Sequence, residues 1–434
     1  MALKGAVPRA TFRQVFAVRE FRALWFSEIL SIAGDRLALV ALTLLVFDRT
    51  RSPLLAAAVY ATGYVPWVIG GLFLAEVADR RPRRSVMITC DAARAVLVAA
   101  MVIPRAPIGV LVALLFVTTM ITPPFESARA AVTADILTGE RYVLGAGVMG
   151  TTFLGAQVAG AAGGGVAVAL IGVRSSLAVD SATFVLSGLL IAFGIRARPA
   201  ARPDGARPDG AQPSVWVRLR QGLRLVFGDP ALRTLLMFGW LMAFYTVPEA
   251  VAAPYAAKLG GGPIATGLVL ASTVFATTIA TPLFTRFVRA RQRLALMGPL
   301  AVLTCATLVL TALRPGLAVS LVIFSVSATF GVYQIAANTA FVVRVPDERR
   351  AQAFGIANVG VVVGQGAAYV TAGAAAQVIT PAAVIAICGA IGAVIAFVLM
   401  FRWRHVSPPG GRHAARRRSG NAPARGSVPL HESS

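Results

Sequence analysis

Long apolar segments separated by short polar breaks cover most of the chain. Each segment is about 20 residues or longer, the length of helix needed to cross about 30 Å of hydrocarbon. The pattern therefore predicts an all-α membrane protein with twelve transmembrane helices. These spans are expected at residues 21–47, 54–78, 85–103, 107–134, 146–172, 175–195, 232–256, 264–286, 294–313, 317–343, 351–378 and 381–403.

Lys and Arg are distributed unevenly between the two sides of this arrangement. With twelve spans, the even-numbered connections and both termini share one side, which holds 33 of the 41 Lys and Arg residues, whereas the other side holds six. Loops rich in Lys and Arg remain in the cytoplasm. We therefore expect a multi-pass protein with both termini in the cytoplasm. The Ala, Gly and Arg bias indicates a G+C-rich bacterial genome, and the expected location is the bacterial inner membrane.

The composition excludes several other classes of protein. Hydrophobic residues make up 57% of the chain and charged residues 14%, which is too little charge to cover a soluble protein of 434 residues. The net charge of +23 follows the membrane topology, so no nucleic-acid partner is expected. All three histidines lie after residue 404, so a proton relay within the membrane must use carboxylates. We expect no metal site and no enzyme, because no set of catalytic side chains or nucleotide-binding loop is present.

The longest polar break divides the predicted spans into six and six. Its first part is a near repeat of Ala-Arg-Pro-Asp-Gly at 201–205 and 206–210, typical of a flexible linker, and residues 215–227 have the pattern of a basic amphipathic helix. The predicted domains are a cytoplasmic N terminus (1–20), a six-helix bundle (21–195), a cytoplasmic linker with the amphipathic helix (196–231), a second six-helix bundle (232–403) and a disordered basic tail (404–434).

Two short polar sequences recur at nearly one offset, which indicates duplicated halves. Glu140-Arg141 recurs as Glu348-Arg349 after 208 residues, and the arginine cluster at 80–84 recurs loosely at 289–293. We therefore predict two pseudo-symmetric bundles related by an axis along the membrane normal. In such a plan the substrate site lies between the two halves.

The polar loop between the second and third spans resembles the signature of the major facilitator superfamily. That family has Gly-x-x-x-Asp-Arg-x-Gly-Arg-Arg, and this chain has Ala75-x-x-x-Asp79-Arg80-x-Pro82-Arg83-Arg84. The acid and the basic cluster are kept, and both glycines are replaced. The resemblance covers about residues 20–403 and implies the twelve-helix major facilitator fold and secondary transport by alternating access.

A glycine-rich segment in the fifth span, residues 160–165, resembles the Gly-Pro-x-x-Gly-Gly motif of exporters in that superfamily, with Ala161 replacing the proline. Its glycines at Gly160, Gly164 and Gly165 are expected to allow close helix packing. Other short sequences in order along the chain resemble the branch of drug:proton antiporters that contains macrolide-efflux proteins and the enterobactin exporter. These are Ser31-x-x-Gly34-Asp35, Asp91-x-x-Arg94-Ala95, Ala128-Arg129-x-Ala131 and Asp180-x-x-x-Phe184.

Ionisable residues within the predicted spans are the candidate functional residues, because each costs about 2.5–3.5 kcal/mol at mid-bilayer. Glu28, Ser31 and Asp35 form one polar stripe that we expect to face a central cavity. Asp35 lies about 14 Å into the membrane and is the leading proton or substrate site. Glu249, after Pro248, is the second candidate.

Arg36 beside Asp35 is expected to have a structural role. The remaining polar residues near the cytoplasmic end are predicted to form a gate and its supporting charge network, with Asp91–Arg94 and Glu126–Arg129 as i,i+3 ion pairs. This set comprises Glu76, Asp79, Arg80, Arg83, Arg84, Asp91, Arg94, Glu126 and Arg129.

From the resemblance we expect a monomer that uses the proton gradient, without a bound cofactor, to export a small amphipathic compound. Two alternatives remain at this stage. One is uptake, or movement of a siderophore-like or lipid-like solute, because the exporter motif lacks its proline. The other is a non-transporting membrane sensor that has kept the fold, because Arg36 beside Asp35 could lock the carboxylate.

Overall fold

The computed structural model describes residues 10–66, 69–70, 81–198, 215–346 and 349–406, and all regular structure in these residues is helical. The helices before the linker are α1 (Phe12–Phe16), α2 (Arg19–Thr50), α3 (Pro53–Ala61), α4 (Arg83–Met101), α5 (Ile108–Met120), α6 (Thr122–Ile136) and α7 (Glu140–Gly194).

The linker contains α8 (Val215–Gly228), where the amphipathic pattern predicts a helix. The second half of the chain continues with α9 (Pro230–Trp240), α10 (Met242–Tyr245), α11 (Val247–Ala250), α12 (Ala252–Lys258), α13 (Pro263–Phe287), α14 (Ala290–Leu308), a 3-10 turn (Val309–Leu313), α15 (Leu317–Phe330), α16 (Tyr333–Arg344), α17 (Arg350–Val378) and α18 (Pro381–Val406).

Nine helical stretches in the described ranges are long and apolar enough to cross a membrane. The 55-residue α7 counts once among them, although Gly172, at φ 77°, interrupts it at the boundary of two predicted spans. Helix α4 is not among the nine because it carries Arg83, Arg84, Asp91 and Arg94. The predicted span 54–78 continues beyond the described residues. A multi-pass helical architecture is therefore established, and the count of twelve stays a prediction.

Proline and side-chain caps fix where several helices begin. Helix α3 begins at Pro53, and the Ser52 hydroxyl accepts a hydrogen bond from Leu55 N at 3.3 Å. Helix α9 begins at Pro230, and the Asp229 carboxylate accepts from Ala231 N at 2.7 Å. Proline suits the first turn because its missing N–H would have no partner there. These caps define the first residues of the helices that follow.

The buried apolar side chains show how the two halves of the chain meet. One cluster contains residues of both halves, among them Val46, Tyr60, Val251 and Tyr369, at the end of the bundle where α2 ends and α3 begins. Toward the other end, two further clusters each contain residues of one half only. In the described residues the halves therefore share a core at one end and have separate cores at the other.

Close backbone approach between α7 and α13 also joins the halves. A Cβ atom added at Gly165 would lie 2.9 Å from Gly267 Cα, and one added at Gly267 would lie 2.8 Å from Ala161 O. Side chains at these positions would force the two helices apart. Gly164 lies against Leu37 and Val40 of α2 in the same manner. The glycines of the predicted packing motif therefore lie at helix–helix contacts.

Candidate functional site

The seventh predicted span is broken into short segments in the middle of the bundle. Helix α9 ends at Trp240, and α10, α11 and α12 follow with turns between them. Pro248 contributes to this break, because a proline cannot donate the backbone hydrogen bond that a continuous helix requires. Glu249 lies in the short α11, so its carboxylate projects from an interrupted stretch of backbone into the region between the halves.

Three hydroxyl groups donate hydrogen bonds to Glu249. Tyr60 Oη and Tyr369 Oη donate to Oε2 at 3.2 and 3.3 Å, and Thr273 Oγ1 donates to Oε1 at 3.3 Å. Tyr60 belongs to the first half of the chain, whereas Tyr369 and Thr273 belong to the second. The Glu249 carboxylate therefore bridges the two halves, and a change in its protonation would alter contacts on both sides.

A cavity of about 600 Å³ lies between the halves, with Glu249 in its wall. Of the described residues that line it, Arg36 and Glu249 are charged, whereas the other polar groups are neutral amides and hydroxyls. The amides belong to Gln157, Gln334, Asn338, Asn358 and Gln365. Aromatic rings, including Trp240, Phe341 and Phe354, line the part farther from Glu249. This volume falls within the range of pockets that hold small organic ligands, about 300–1,000 Å³.

Arg36 is the cation of this cavity wall. It lines the same cavity as Glu249, which carries the opposite charge. Among the residues that the structure describes, however, it forms no hydrogen bond, and no carboxylate lies within ion-pair distance of it. A Cβ atom added at Gly160 of α7 would lie 2.8 Å from Arg36 Cβ. Gly160 therefore allows α7 to lie directly against the backbone that carries Arg36.

Three tyrosines close the cavity at the end where the halves share a core. The rings of Tyr60 and Tyr369 lie 5.6 Å apart, those of Tyr64 and Tyr369 lie 5.4 Å apart, and the hydroxyl oxygens of Tyr64 and Tyr369 lie 3.4 Å apart. Near the start of α3 and the end of α17, Gln377 Nε2 donates a hydrogen bond to Ser52 Oγ at 3.0 Å. The cavity extends instead toward the opposite end, as far as Leu235 and Phe354.

The polar stripe of α2 does not line this cavity, contrary to expectation. Glu28 is buried and forms an ion pair with Arg129, and Arg94 Nη1 donates to Ser31 Oγ at 3.0 Å. Asp35 forms an ion pair with Arg94. The stripe faces α4 and α6 instead, because the arginines on those helices supply the countercharge that buried carboxylates require.

Arg94 is the centre of this buried network rather than the partner of Asp91 alone. Its guanidinium lies 3.7 Å from Asp91 Oδ1, pairs with Asp35 and stacks over the Phe184 ring at 4.1 Å. Asp91 in turn accepts from Ser187 Oγ at 2.6 Å. Asp180 is fully buried beside it. The predicted local pair therefore belongs to a larger cluster that spans three helices.

The gate residues that the structure describes tie α4 to helices of its own half. Arg83 pairs with Asp135 and donates to Ala131 O at 3.4 Å, and Arg84 donates to Ala192 O. Glu126 lies half-buried on α6, and the predicted partner Arg129 pairs with Glu28. Glu76, Asp79 and Arg80 lie outside the described residues, so the gate role of this loop stays a prediction.

Sequence reasoning placed Arg36 in a structural role and did not identify Tyr369. The signal for Arg36 was available, because a cation near mid-membrane requires an anion, and Glu249 is the one carboxylate in the predicted spans of the second half. Tyr60 and Tyr64 lie one helical turn apart, as their spacing suggests. Nothing near Tyr369 in the sequence indicates its contact with residues about 300 positions earlier.

Comparison with known proteins places these features in a family. A sequence model described as Major Facilitator Superfamily matches residues 24–346 and 250–431. A curated relative from Bacillus subtilis (strain 168), described as "Uncharacterized MFS-type transporter YkuC", is 26% identical over 258 residues. That alignment spans 57% of this chain and 59% of the relative's length.

Solved structures of transporters share the fold at low sequence identity. The POT family transporter PepTSo superposes with a TM-score of 0.68 at 12% identity, covering 92% of this chain and 100% of that one. The nucleoside transporter NupG gives 0.66 at 14% identity, covering 88% and 99%. A bacterial homologue of the human lysosomal transporter Spinster gives 0.65 at 14% identity, covering 92% and 100%. At these identities the likeness shows the fold alone.

Proposed function

The chain belongs to the Major Facilitator Superfamily, and on this premise we propose that it is a proton-coupled exporter of a small amphipathic compound, with Glu249 as the proton-exchanging carboxyl. The family identifies a secondary transporter rather than an enzyme. The observation that carries the finer proposal is the position of Glu249. It is the carboxylate of the cavity wall, and its hydrogen bonds reach both halves of the chain.

Alternating access is supported by the asymmetry of the core. The halves share one apolar cluster at the end closed by the tyrosines, and each has its own cluster toward the other end. The excess of Lys and Arg on the side of the even-numbered connections supports a cytoplasmic location for the end away from the tyrosines. We therefore propose that this conformation is the inward-facing state, and that transport closes the open end while separating Tyr60 and Tyr64 from Tyr369.

Glu249 is a better proton site than Asp35. Asp35 is paired with the buried Arg94, so neutralising Asp35 would change the charge of a buried cluster. Glu249 accepts its hydrogen bonds from neutral hydroxyls, and among the described residues no cation lies within ion-pair distance of it, so it can gain a proton without breaking an ion pair. A proton on Glu249 would remove the charge that attracts Tyr60 and Tyr369. Proton binding at Glu249 would therefore weaken the tyrosine contacts that close one end of the cavity.

Export as the direction is supported by the glycine-rich segment of α7. Its resemblance to an exporter motif is accompanied by close contacts of Gly160 and Gly164 with α2 and of Gly165 with α13. These contacts join α7 to a helix of each half. We propose that they keep the halves packed at this interface while the cavity changes sides, and that a monomer performs the whole cycle.

Inverted membrane vesicles with an imposed pH gradient, acid inside, test the proposal. The probes are ethidium, erythromycin and norfloxacin. We expect gradient-driven accumulation of at least one probe by the wild type, and its loss in Glu249→Gln, because the amide cannot exchange a proton. The same variant should still exchange that probe across vesicles without a gradient.

Asp35→Asn is the competing variant in this experiment and should retain a response to the gradient. The proposal is wrong if Glu249→Gln responds to the gradient as the wild type does. It is also wrong if the wild type accumulates none of the probes. Accumulation only in right-side-out vesicles would indicate import and would contradict the proposed direction.

A further inference from the structure

The described residues that line the cavity between the halves include one cation and one anion. Arg36 and Glu249 both line it, on opposite halves of the chain, and the other polar lining groups in the described residues are uncharged. Because these two charges are opposite, the described lining carries no net charge. A ligand with a single net charge would leave one of the two groups facing a like charge.

Arg36 has unused capacity to bind an anion. A guanidinium presents five N–H donors in a planar fork that matches the two oxygens of a carboxylate. Within the described residues the Arg36 guanidinium forms no hydrogen bond, and Glu249, the nearest acid of the wall, already accepts three bonds from Tyr60, Tyr369 and Thr273. The fork of Arg36 is therefore available to a carboxylate that enters the cavity.

Glu249 offers the complementary feature to a cation. Its two oxygens accept three hydrogen bonds, each from 3.2 to 3.3 Å long, so an ammonium group with its full charge can compete with these neutral donors. Hydrogen bonds between two charged groups are shorter and stronger than neutral ones. An amine bound at Glu249 would also displace a proton from it, which agrees with proton-driven export.

The uncharged lining residues indicate what the body of such a ligand should be. Trp240, Phe341 and Phe354 line the part away from the charged pair, with Gln334 and Asn338 between. The volume of about 600 Å³ suits one small organic molecule with an apolar or aromatic body. A nucleotide or other polyanion does not fit this wall, because its described residues supply a single cation.

We propose that the substrate is a small zwitterion with an apolar body, whose carboxylate binds Arg36 and whose amine binds Glu249. The inference rests on the proposed function only in taking this cavity as the substrate site. It goes further by naming both charged groups of the ligand and the residue that recognises each. It also gives Arg36 a binding role.

Equilibrium binding to the purified full chain, without any pH gradient, tests this inference. The ligands are norfloxacin and the dipeptide Phe-Phe, each in four forms: unmodified, methyl ester, N-acetyl, and blocked at both groups. We expect the unmodified form of at least one ligand to bind about tenfold more tightly than either singly blocked form, since truncating one member of a close charge pair costs affinity of this order or more.

Variants assign each ligand group to its residue. In Arg36→Gln, the acid and its methyl ester should bind equally, whereas blocking the amine should still weaken binding. In Glu249→Gln the pattern should be reversed, and Arg36→Lys should keep part of the preference for the free acid. Thermal unfolding of each variant controls for misfolding, and the comparison of ligand forms on the wild type requires no variant.

The inference is overturned if the doubly blocked forms of both ligands bind the wild type as tightly as the unmodified forms. It is also overturned if blocking the acid weakens binding equally in the wild type and in Arg36→Gln. A loss of proton coupling with the charge preferences intact would remove the proposed function alone. Unchanged coupling without charge preferences would remove this inference alone.

Discussion

The two halves of this protein use polar residues inside the membrane in different ways. The first half contains ion pairs between its helices: Arg94 of α4 pairs with Asp35 of α2 and lies 3.7 Å from Asp91, and Arg129 of α6 pairs with Glu28 of α2. The second half uses neutral hydrogen bonds, such as Tyr255 Oη with Ser320 Oγ at 2.6 Å and Ser327 Oγ to Thr304 O at 2.7 Å. In its described helices, Glu249 is the one acid at the cavity.

The contrast between ion pairs in one half and neutral hydrogen bonds in the other indicates that the halves have different roles. Ion pairs in a low-dielectric interior are strong only in a well-defined geometry, so the cluster around Arg94 holds its helices as a fixed unit. Neutral hydrogen bonds exchange partners at lower cost. The broken span that carries Glu249 lies in the half with neutral bonds. We therefore expect the first half to supply a rigid frame with Arg36 on its surface, and the second half to supply the group that changes protonation.

The largest effect is expected from Arg94→Met, which would break the frame of the first half. Methionine has a similar volume but leaves Asp35 and Asp91 without this cation. Removing one partner of a buried ionic network costs about 3–5 kcal/mol. The melting temperature in detergent and the yield of monodisperse protein should both fall sharply. Arg94→Lys, which keeps the charge but not the fork, should recover part of the loss, and a melting temperature equal to that of the wild type in Arg94→Met would refute the comparison.

A smaller effect is expected from Gly160→Ala, which changes the helix contact beside Arg36 in the cavity wall. Gly160→Ala adds a Cβ atom 2.8 Å from Arg36 Cβ and 2.7 Å from Ala33 O, so α2 and α7 must separate. Such overpacking costs about 1–3 kcal/mol. We expect lower stability and, because Arg36 moves, a weaker preference for ligands with a free carboxylate.

Gly163→Ala is the matched control on the same helix. A Cβ atom there meets no heavy atom within 4 Å in the described structure. Alanine is favoured over glycine in a helix by about 0.5–1 kcal/mol, so this variant should be as stable as the wild type or more stable. Equal ligand preferences in the two variants would show that the contact of α7 with α2 does not position Arg36.

The sequence predicts the helical membrane architecture well, because the length of an apolar segment is a local property of the chain. It also identifies Glu249 as a candidate site, but it predicts a single span at 232–256 and not the broken backbone around Pro248. It does not predict that Arg94 pairs with Asp35, which lies 59 positions away, rather than only with Asp91 three positions away. That pairing depends on how α2 packs against α4. The position of Tyr369 depends on packing in the same way.

The smallest effect is expected from Tyr333→Phe, which removes one neutral hydrogen bond of the second half. Tyr333 Oη is buried and donates to Phe238 O at 2.9 Å, but Gln334 Nε2 also donates to that carbonyl at 3.3 Å. The carbonyl therefore keeps a partner when the hydroxyl is removed. Loss of a neutral hydrogen bond costs about 0.5–1.5 kcal/mol, so the melting temperature should fall by a few degrees at most, and ligand affinity should not change. Tyr333→Phe could instead lower stability as much as Arg94→Met does. The second half would then depend on its buried polar groups as strongly as the first half does. That result would contradict the proposed difference between the two halves.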